Sequence, residues 1–561
     1  MPRIASSAWF LLLVACGDST APKSPPAEPA APKELLNSDV VHEVSIELDP
    51  SDWNTIRSEG RSINTLYSGC LDPAFEYTWV DAELRLGERN LGKVRLRKKG
   101  FFGSLSANRP SLRADVAEYS PEQRVFGSKN LVLNNSRQDP SFVHQCMAYA
   151  AFKAAGVPAP RCGFAHVRVN GEDLGSYVIV EPIKKPFLKR ELGDDEGILL
   201  EGNGGADFTS ERLDRFDIES GDATDASDVL APLTAAIATS DQDLPGRLRG
   251  VLDLPAFLRF WAVESLIGHW DGYSGDLNNF YVYAPAGAGP IQFIPWGTDA
   301  TYTTTHSYLP QQGRPQSVYA VGRLANRLYA LQETREQYRS TLRDLLRDAW
   351  DERAMQRELD RMESLVADID PAALEATRDF IRTRRSQLQP ELEGQAPPWP
   401  YPERAPPACR EAANSDIHAT FDAVWKGLDA VEVSPGNSLD LLIDDKRTTY
   451  PLVFASAGIA DTGKPTVQLL GQEAGGTYIV LSLQIGARPL HEGEIRFHGA
   501  ETLGIVLRAP NRDSYQMIGY VGEGAITFDE VGTTAGARLR GRVDGRLLTL
   551  NPELANLMSK R

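Results

Sequence analysis

A proline-rich segment divides the chain into two parts with different hydrophobic patterns. It consists of Pro397-Pro398-Trp399-Pro400-Tyr401-Pro402 followed, after a short gap, by Pro406-Pro407. Such a composition predicts a semi-rigid linker over residues 396–415. Residues 40–395 mix helical and strand patterns, whereas residues 416–561 contain short alternating runs between Gly, Asp and Asn turns. The second pattern predicts a smaller all-β domain, either a sandwich or a barrel.

The first residues of the chain have the pattern of an export signal. A positive start at Arg3 precedes an apolar run over residues 8–15, which ends in Leu13-Val14-Ala15-Cys16. Small residues directly before a cysteine are typical of bacterial lipoprotein signals, so residues 1–16 are predicted to be cleaved ahead of a lipidated Cys16. The alternative is an ordinary secretory signal with an incidental cysteine. The run is shorter than the about 20 apolar residues that cross a bilayer.

The signal and the segment that follows it predict an extracytoplasmic protein held at a membrane of the bacterial cell envelope. Residues 17–39 are rich in Pro and Ala and are predicted to be a disordered stalk.

The formal net charge of −17 argues against nucleic acid as a partner, because phosphate binding needs a basic face. An oxidising compartment favours two disulfides, with three pairings open, among the remaining cysteines: Cys70, Cys146, Cys162 and Cys409.

Residues 40–395 carry clear local signals for helices and hairpins. Asp139-Pro140-Ser141 predicts a helix with Asp139 as its N-cap and Gly156 as its stop. Asn170-Gly171 between two alternating runs predicts a hairpin, and a second hairpin is predicted over residues 280–294. Asp253 predicts the start of an apolar helix that brings His269 and Asp271 to its C-terminal end. The charged region from 333 to 392 is predicted to form packing helices.

Two acids and a carboxamide are the candidate metal ligands. Asp271 follows the apolar helix, and Asp299 follows an apolar strand and Pro295-Trp296. Together with Asn279 they form a set of oxygen ligands that suits Mg²⁺ or Mn²⁺. Asp271 and Asp299 are also the candidate catalytic residues. Asp276 competes with Asp271 for its role, the paired asparagines could instead cap the following strand, and His269 is predicted to be structural.

A local cluster of cations in this acidic chain is the candidate phosphate-binding element. It lies in Arg97-Lys98-Lys99-Gly100 and in Arg109-Pro110-Ser111-Leu112-Arg113. Guanidinium and ammonium groups bind phosphate oxygens directly, although a solvated basic loop would have the same composition. Lys99 is preferred over the adjacent Lys98. Glu181, at the end of a predicted strand, either pairs with a basic residue or faces solvent. The candidate cofactor-binding residues are Arg97, Lys99, Arg109, Arg113 and Glu181.

Residues from about 42 to 390 resemble a CotH kinase-like domain. The resemblance rests on seven collinear motifs, the two basic ones above and five others: Leu131-Val132-Leu133-Asn134-Asn135 with Asp139-Pro140-Ser141; Ala155-Gly156-Val157-Pro158-Ala159-Pro160; Val169-Asn170-Gly171-Glu172-Asp173-Leu174-Gly175-Ser176-Tyr177; Asn278-Asn279-Phe280-Tyr281-Val282-Tyr283; and Pro295-Trp296-Gly297-Thr298-Asp299. It covers roughly two thirds of the chain and leaves the C-terminal β domain without an assignment.

The resemblance implies an α+β fold with an atypical, two-lobed protein-kinase-like domain. It also implies ATP, a divalent metal, and phosphorylation of Ser or Thr in extracytoplasmic or coat proteins. Asp299 resembles the metal-holding acid of the family's Trp-Asp-x-Asp segment, Asp271 the acid ahead of the paired asparagines, and Asn279 the carboxamide ligand. The cations resemble nucleotide contacts, although the family often has lysine where this chain has Arg109 and Arg113.

One departure from the family pattern bears on catalysis. Gly297 stands where many members carry the first aspartate of the Trp-Asp-x-Asp segment, so one carboxylate is lost. We therefore expect a weaker second metal site. The alternative function is a catalytically inactive, kinase-like surface lipoprotein that acts as a binding or assembly module.

Overall fold

The structure, a computed structural model, has a mixed α/β architecture. It describes residues 40–60, 75–100, 102–287, 289–307, 309–404, 415–443, 446–460, 464–473, 476–486, 490–497, 502–509 and 515–549. The predicted signal and stalk over residues 1–39, including Cys16, lie outside these ranges, as do Cys70, Cys409 and linker residues 405–414. In the described ranges, no helix combines the length and the apolar character needed to cross a membrane.

A closed seven-stranded barrel forms the N-terminal part. Its strands follow the order β1-β2-β3-β4-β5-β7-β6, and β6 pairs in parallel with β1 to close it. Alternating apolar side chains fill its interior. The hairpin predicted at Asn170-Gly171 is confirmed, with positive φ at both residues. The strands are β1 (Val41–Glu47), β2 (Val80–Leu86), β3 (Arg89–Lys98), β4 (Leu112–Asp115), β5 (Asn130–Asn134), β6 (Cys162–Val169) and β7 (Glu172–Val180).

Two helices lie in the described residues of this part of the chain. Helix α1 (Pro50–Ser58) begins behind Asp49, whose carboxylate accepts the Ser51 N–H at 2.7 Å. Helix α2 (His144–Ala154) ends before Gly156 as predicted, but it does not begin at Pro140. The backbone of Phe142 has a φ of +62°, which no right-handed helix allows. The N-cap residue is Val143 rather than Asp139, although the Asp139 carboxylate accepts the His144 N–H at 2.8 Å.

A four-stranded antiparallel sheet follows the barrel, in the order β11-β10-β8-β9. It consists of β8 (Ile198–Gly202), β9 (Phe216–Ser220), β10 (Phe280–Ala284) and β11 (Gln292–Pro295), and the predicted hairpin of β10 and β11 is confirmed. Four helices lie along the chain around it: α3 (Lys185–Leu192), α4 (Ala226–Ile237), α5 (Leu244–Leu248) and α6 (Leu254–Leu266). Helix α6 begins at Asp253 as predicted and packs its aromatic residues against β11.

The remaining helices complete the large core around the second sheet. The predicted helical region after residue 333 is confirmed as three helices, and their buried apolar side chains join this core. The helices are α7 (Tyr273–Asp276), α8 (Arg323–Ala330), α9 (Gln332–Asp348), α10 (Glu352–Leu365) and α11 (Pro371–Glu393). Short 3₁₀ turns span Phe102–Ser104 and Leu213–Arg215.

The C-terminal region is all-β in its described residues and has its own hydrophobic core. Eleven strands pair in the order β13-β16-β17-β18-β20-β21-β22-β12-β14-β15, with β19 on β21. They are β12 (Asp416–Val424), β13 (Gly427–Val433), β14 (Ser438–Ile443), β15 (Lys446–Thr449), β16 (Val453–Ile459), β17 (Pro465–Gln472), β18 (Tyr478–Gln484), β19 (Gly493–Arg496), β20 (Leu503–Ala509), β21 (Gln516–Val531) and β22 (Arg538–Thr549). The strand content agrees with the sequence pattern, and the domain boundaries stay predictions.

A disulfide joins helix α2 to the barrel. Cys146 and Cys162 are bonded, with their Cα atoms 5.2 Å apart. The structure thus shows one of the two predicted disulfides, and the pairing of Cys70 and Cys409, which lie outside the described residues, stays a prediction. The bond anchors α2 to β6, and α2 carries His144, which belongs to the candidate site described next.

Candidate active site

The loop between α6 and β10 holds Asp271 with two carboxamides. The side-chain N–H of Asn278 donates to Asp271 Oδ1 at 3.1 Å. Asn279 Nδ2 donates to Asp271 Oδ2 at 2.8 Å and to the Asp271 carbonyl at 3.0 Å. Burial raises the pKa of Asp271 well above its usual range, and the charges of Asp276 and Asp299 raise it further. The structure therefore brings Asp271 and Asn279 together.

A buried glutamate beneath this loop fixes its path. Glu264, fully buried near the end of α6, accepts the backbone N–H groups of Tyr273 and Ser274, both at 2.9 Å. A Cβ on Gly272 would lie 2.2 Å from Glu264 Oε1, so glycine is needed there. Burial raises the pKa of Glu264 to about 7. Because two main-chain donors end on one carboxylate, Glu264 sets the position of the residues that follow Asp271.

His269 is also fully buried, with its Nδ1 3.7 Å from Glu264 Oε1. Burial lowers its pKa to about 3, so the ring is neutral at physiological pH. A buried neutral ring beside the loop fits the structural role predicted for this residue.

Asp299 lies in the segment after β11, next to helix α2. His144 Nδ1 is 2.9 Å from the Asp299 carbonyl, and His144 Nε2 is 2.9 Å from Thr377 Oγ1 on α11. Since a carbonyl oxygen only accepts, the Nδ1 nitrogen carries the proton. Burial raises the pKa of Asp299 to about 6, with a further increase from the charge of Asp139 and decreases from Lys99 and His144.

Gly297 brings the two acidic segments into contact. The Trp296 N–H donates to the Asn279 carbonyl at 3.1 Å. Gly297 has a φ of +51°, and a Cβ there would lie 2.3 Å from Asn279 Oδ1. The position therefore needs glycine both for its backbone and for the space that Asn279 occupies. An aspartate at this position, as the family pattern has it, does not fit the present arrangement.

The barrel contributes one lysine to this region, and it is Lys99 rather than Lys98. Lys98 points into the barrel, where its ammonium donates to the carbonyls of Arg57 and Glu59 at 3.0 and 2.6 Å. Lys99 Nζ donates to Asn134 Oδ1 at 2.5 Å and lies 5.6 Å from the Trp296 ring. Burial lowers the pKa of Lys99 to about 8, while the charges of Asp299 and Glu201 act in the opposite direction.

Two of the other four predicted cofactor-binding residues, Arg97 and Arg113, lie on the same barrel face as Lys99. Arg97 alternates with Lys98 along β3 and pairs in register with Arg113 on β4. Burial lowers the pKa of Arg97, and the neighbouring charge of Arg113 adds to the effect. Arg113 Nε donates to Asn130 Oδ1 at 2.9 Å. Arg97, Lys99 and Arg113 thus form a cationic wall, the name used below for these three residues.

The other two predicted cofactor-binding residues are engaged elsewhere. Arg109 donates to the Asn135 carbonyl at 2.7 Å, with its guanidinium 5.1 Å from the Phe142 ring. Glu181 is buried, and both Arg161 and Arg190 donate to its carboxylate. Burial raises the pKa of Glu181, but these hydrogen bonds lower it further than burial raises it. Of the two readings of Glu181, the structure shows the paired one.

The sequence did not single out Glu201 as a member of this site. It lies on β8 opposite Tyr281 of β10. Burial raises its pKa to about 7, the charges of Glu219 and Asp217 raise it, and the charge of Lys99 lowers it. An acid directly after the apolar run Ile198-Leu199-Leu200 was the available signal. Asn134 and His144 were also missed, since Asn134 was assigned only to a strand and His144 only to a helix.

The donor set restricts what could be bound. In the ranges given above, no three His, Cys, Asp or Glu side chains are grouped so that they could hold a metal ion alone. The oxygen atoms of Asp271, Asn279 and Asp299 include two carboxylates whose pKa values are raised by burial and by negative neighbours. A hard divalent cation suits such donors, with phosphate oxygens or water as its remaining ligands.

Comparison with known proteins places the site within a family. The family model described as CotH kinase protein matches residues 96–391, more than half of the chain. Inner spore coat protein H of Bacillus subtilis (strain 168) is 24% identical over 197 residues, or 33% of this chain and 53% of that protein. Invasin CotH2 of Rhizopus delemar is 24% identical over 195 residues, or 32% of this chain and 33% of that protein. The chain thus spans about half the length of the first relative and a third of the second.

A solved structure of the Shewanella oneidensis MR-1 toxin–antitoxin system HipA and HipB with operator DNA also aligns with part of the chain. The alignment covers 46% of this chain and 57% of that chain, with 10% identity and a TM-score of 0.26. A TM-score this low does not establish a shared fold.

Proposed function

The chain belongs to the CotH kinase protein family, and on this premise we propose that it is an extracytoplasmic protein kinase. It transfers the γ-phosphate of ATP to Ser or Thr of surface or coat proteins, and lipid on Cys16 anchors it to the cell envelope. The supporting observation is that Lys99 of the barrel lies near the Trp296 ring and its charge interacts with that of Asp299, while Asn279 contacts both Asp271 and Trp296. Phosphoryl transfer needs cations for the phosphates and an acid for the acceptor hydroxyl in one place.

The cationic wall holds the phosphates in this proposal. Lys99 is fixed by Asn134, whose own amide donates to Gln145 Oε1 at 2.8 Å. This chain of side chains ties the ammonium to helix α2. Arg97 and Arg113 lie side by side with their charges unfavourably close, and an anionic phosphate relieves that repulsion.

Asp271 is the residue that acts on the acceptor hydroxyl. The hydroxyl oxygen forms a bond to the γ-phosphorus, the bond from that phosphorus to the ADP oxygen breaks, and the hydroxyl proton passes to Asp271. Its raised pKa favours proton acceptance. Asn278 and Asn279 hold its two oxygens in fixed directions. Asp271, Asn279 and Asp299 would hold Mg²⁺ or Mn²⁺, which would neutralise the negative charge of the phosphates.

The test uses the chain from Ser38 onward with γ-labelled ATP, MgCl₂ or MnCl₂, and a generic acceptor such as casein. We expect label incorporation that falls at least about 100-fold in D271N and in D299N. Asp228, an exposed carboxylate on α4, gives the matched control D228N with unchanged incorporation. Calorimetry separates binding from chemistry, since K99M should weaken ATP binding while D271N should keep it. No ATP binding at millimolar concentration with either metal would refute the kinase proposal.

One observation favours a second candidate function, a kinase-like binding module without activity. Gly297 leaves no space for a further carboxylate beside Asn279, so a cation there would lack the carboxylate that many family members supply from this position. A module of this kind would bind ATP or a cation in calorimetry, and the wild-type protein would incorporate no label with any acceptor.

A further inference from the structure

The beginning of the predicted linker packs on the folded protein. The Tyr329 hydroxyl donates to the Pro397 carbonyl at 2.8 Å, and the Tyr401 hydroxyl donates to the Pro310 carbonyl at 3.1 Å. Trp399 packs against the large core and against the Tyr401 ring, with ring centroids 5.0 Å apart. Residues 396–404, called the strap below, are therefore bound in place.

The strap ends at the loop that carries Asp271. Arg404 forms an ion pair with Asp276 Oδ1, and its Nη1 also donates to the Asp276 carbonyl at 3.3 Å. Asp276 is the last residue of α7, two residues before Asn278, whose side chain holds Asp271. Arg404 is thus connected to the candidate catalytic carboxylate of Asp271 through Asp276, the chain from Asp276 to Asn278, and the Asn278 side chain.

A second contact closes a ring around this loop. The buried Arg212 donates to the Arg404 carbonyl at 2.9 Å and to the Gly205 carbonyl at 2.7 Å. The Gly205 N–H donates to the carbonyl of Leu277, the residue after Asp276, at 2.8 Å. The strap, Arg212, Gly205 and the loop therefore hold one another through main-chain and guanidinium contacts.

The charges in this region explain why a cation is needed there. Asp271, Asp276 and Asp299 are near enough that the charges of the last two act on the first. Triphosphate would add further negative charge to the same region. Among these three acids, Asp276 has the ion pair with Arg404, which offsets its repulsion of its neighbours.

We propose that Arg404, which lies outside the family region 96–391, is a positioning residue that holds Asp276 and thereby the loop of Asp271. The functional unit then extends at least to residue 404, and the strap connects the catalytic loop to the chain that leads into the β domain. This inference rests on the proposed kinase function for its kinetic consequence, but not for the contact itself.

The experiment compares hydrogen exchange of the full-length wild type with R404A, R404K and E403Q. Glu403 lies on the same strap and pairs with Arg323 of α8, so E403Q is a matched loss of one neighbouring ion pair. In R404A we expect the amides of residues 272–278 to exchange roughly tenfold faster. R404K should restore most of the protection, and E403Q should match the wild type. Melting curves for all four proteins check that each is folded.

Kinetics supply the second readout. R404A should lower kcat roughly tenfold, because the loop of Asp271 is displaced, while the KM for ATP stays within about twofold since the cationic wall is untouched. Exchange rates in R404A equal to those of the wild type would overturn the inference. A loss of protection in E403Q equal to that in R404A would also overturn it. A wild-type protein that transfers no phosphate refutes the proposed function alone, and the exchange comparison still decides the role of Arg404.

Discussion

Gly297 allows a direct test of the geometry of the candidate site. In G297A, a residue with a Cβ occupies a backbone with φ of +51°, which costs about 1–2 kcal/mol. The new Cβ lies 2.3 Å from Asn279 Oδ1, so the carboxamide must move. Weakening its hydrogen bonds to Asp271 adds about 1–3 kcal/mol. We therefore expect the free energy of unfolding to fall by about 3 kcal/mol in total.

Gly313 provides the matched control. Its φ is +78°, and a Cβ there meets no atom within 4 Å. G313A should therefore show only the backbone cost, about 1–2 kcal/mol. Urea unfolding, followed by tryptophan fluorescence, measures both variants. The difference between them isolates the contact with Asn279, and equal stability of G297A and G313A would refute this reasoning.

The variant G297D separates the family pattern from the geometry of this chain. The family resemblance predicts that an added carboxylate strengthens metal binding and activity. The structure predicts the opposite, because the aspartate displaces Asn279 from Asp271 before it can act as a ligand. Calorimetry with Mn²⁺ and ATP, together with label incorporation, decides between them. Tighter Mn²⁺ binding with increased incorporation in G297D would contradict the structural explanation of Gly297.

Three further predictions follow from the contacts described. K99M should weaken ATP binding measured by calorimetry with little change in stability. K98M should lower the free energy of unfolding by about 1–3 kcal/mol, because the carbonyls of Arg57 and Glu59 lose their donor. ATP affinity should fall as pH rises through about 8, where Lys99 loses its proton, and K99M should lack this pH dependence. The double variant C146S/C162S should lose about 3 kcal/mol in urea unfolding, the value for a loop of this length, and added reductant should lower the stability of the wild type by more than that of the variant. An unchanged pH dependence of ATP affinity in K99M would count against the role of Lys99. An equal loss of stability on reduction of both proteins would count against the role of the disulfide.

Most secondary structure was predictable because its signals are local. The hairpin at Asn170-Gly171 and the helix after Asp253 each depend on residues within a few positions of one another. The predicted start of α2 was wrong, because the left-handed backbone of Phe142 lies between Pro140 and the helix. The sequence pattern, an aspartate followed by proline, gives no indication of this interruption. Barrel closure also had no local signal, since β1 pairs with β6 more than 100 residues later.

The site was predictable to a more limited extent. The acids Asp271 and Asp299 follow an apolar helix and an apolar strand, and that order suggested a shared site. Alternation at the end of β3 places Lys98, its last residue, and the following Lys99 on opposite faces, but the sequence cannot say which face lies inside the barrel. Glu201 was missed because its significance comes from Lys99, about 100 residues earlier in the chain.

The electrostatics of Lys99 and Asp299 indicate the kind of ligand that would suit this site. A close and sufficient ion pair would raise the pKa of the lysine and lower that of the aspartate. Here burial dominates in both groups, so that the pKa of Lys99 is lowered to about 8 and that of Asp299 is raised to about 6. The charge of each group is therefore only partly neutralised by the charge of the other. A phosphate would stabilise the ammonium, and a divalent cation on that phosphate would stabilise the carboxylate. If binding of ATP with Mg²⁺ leaves the pKa of Lys99 unchanged, as measured by ¹⁵N NMR of its side chain, this account of the site is wrong.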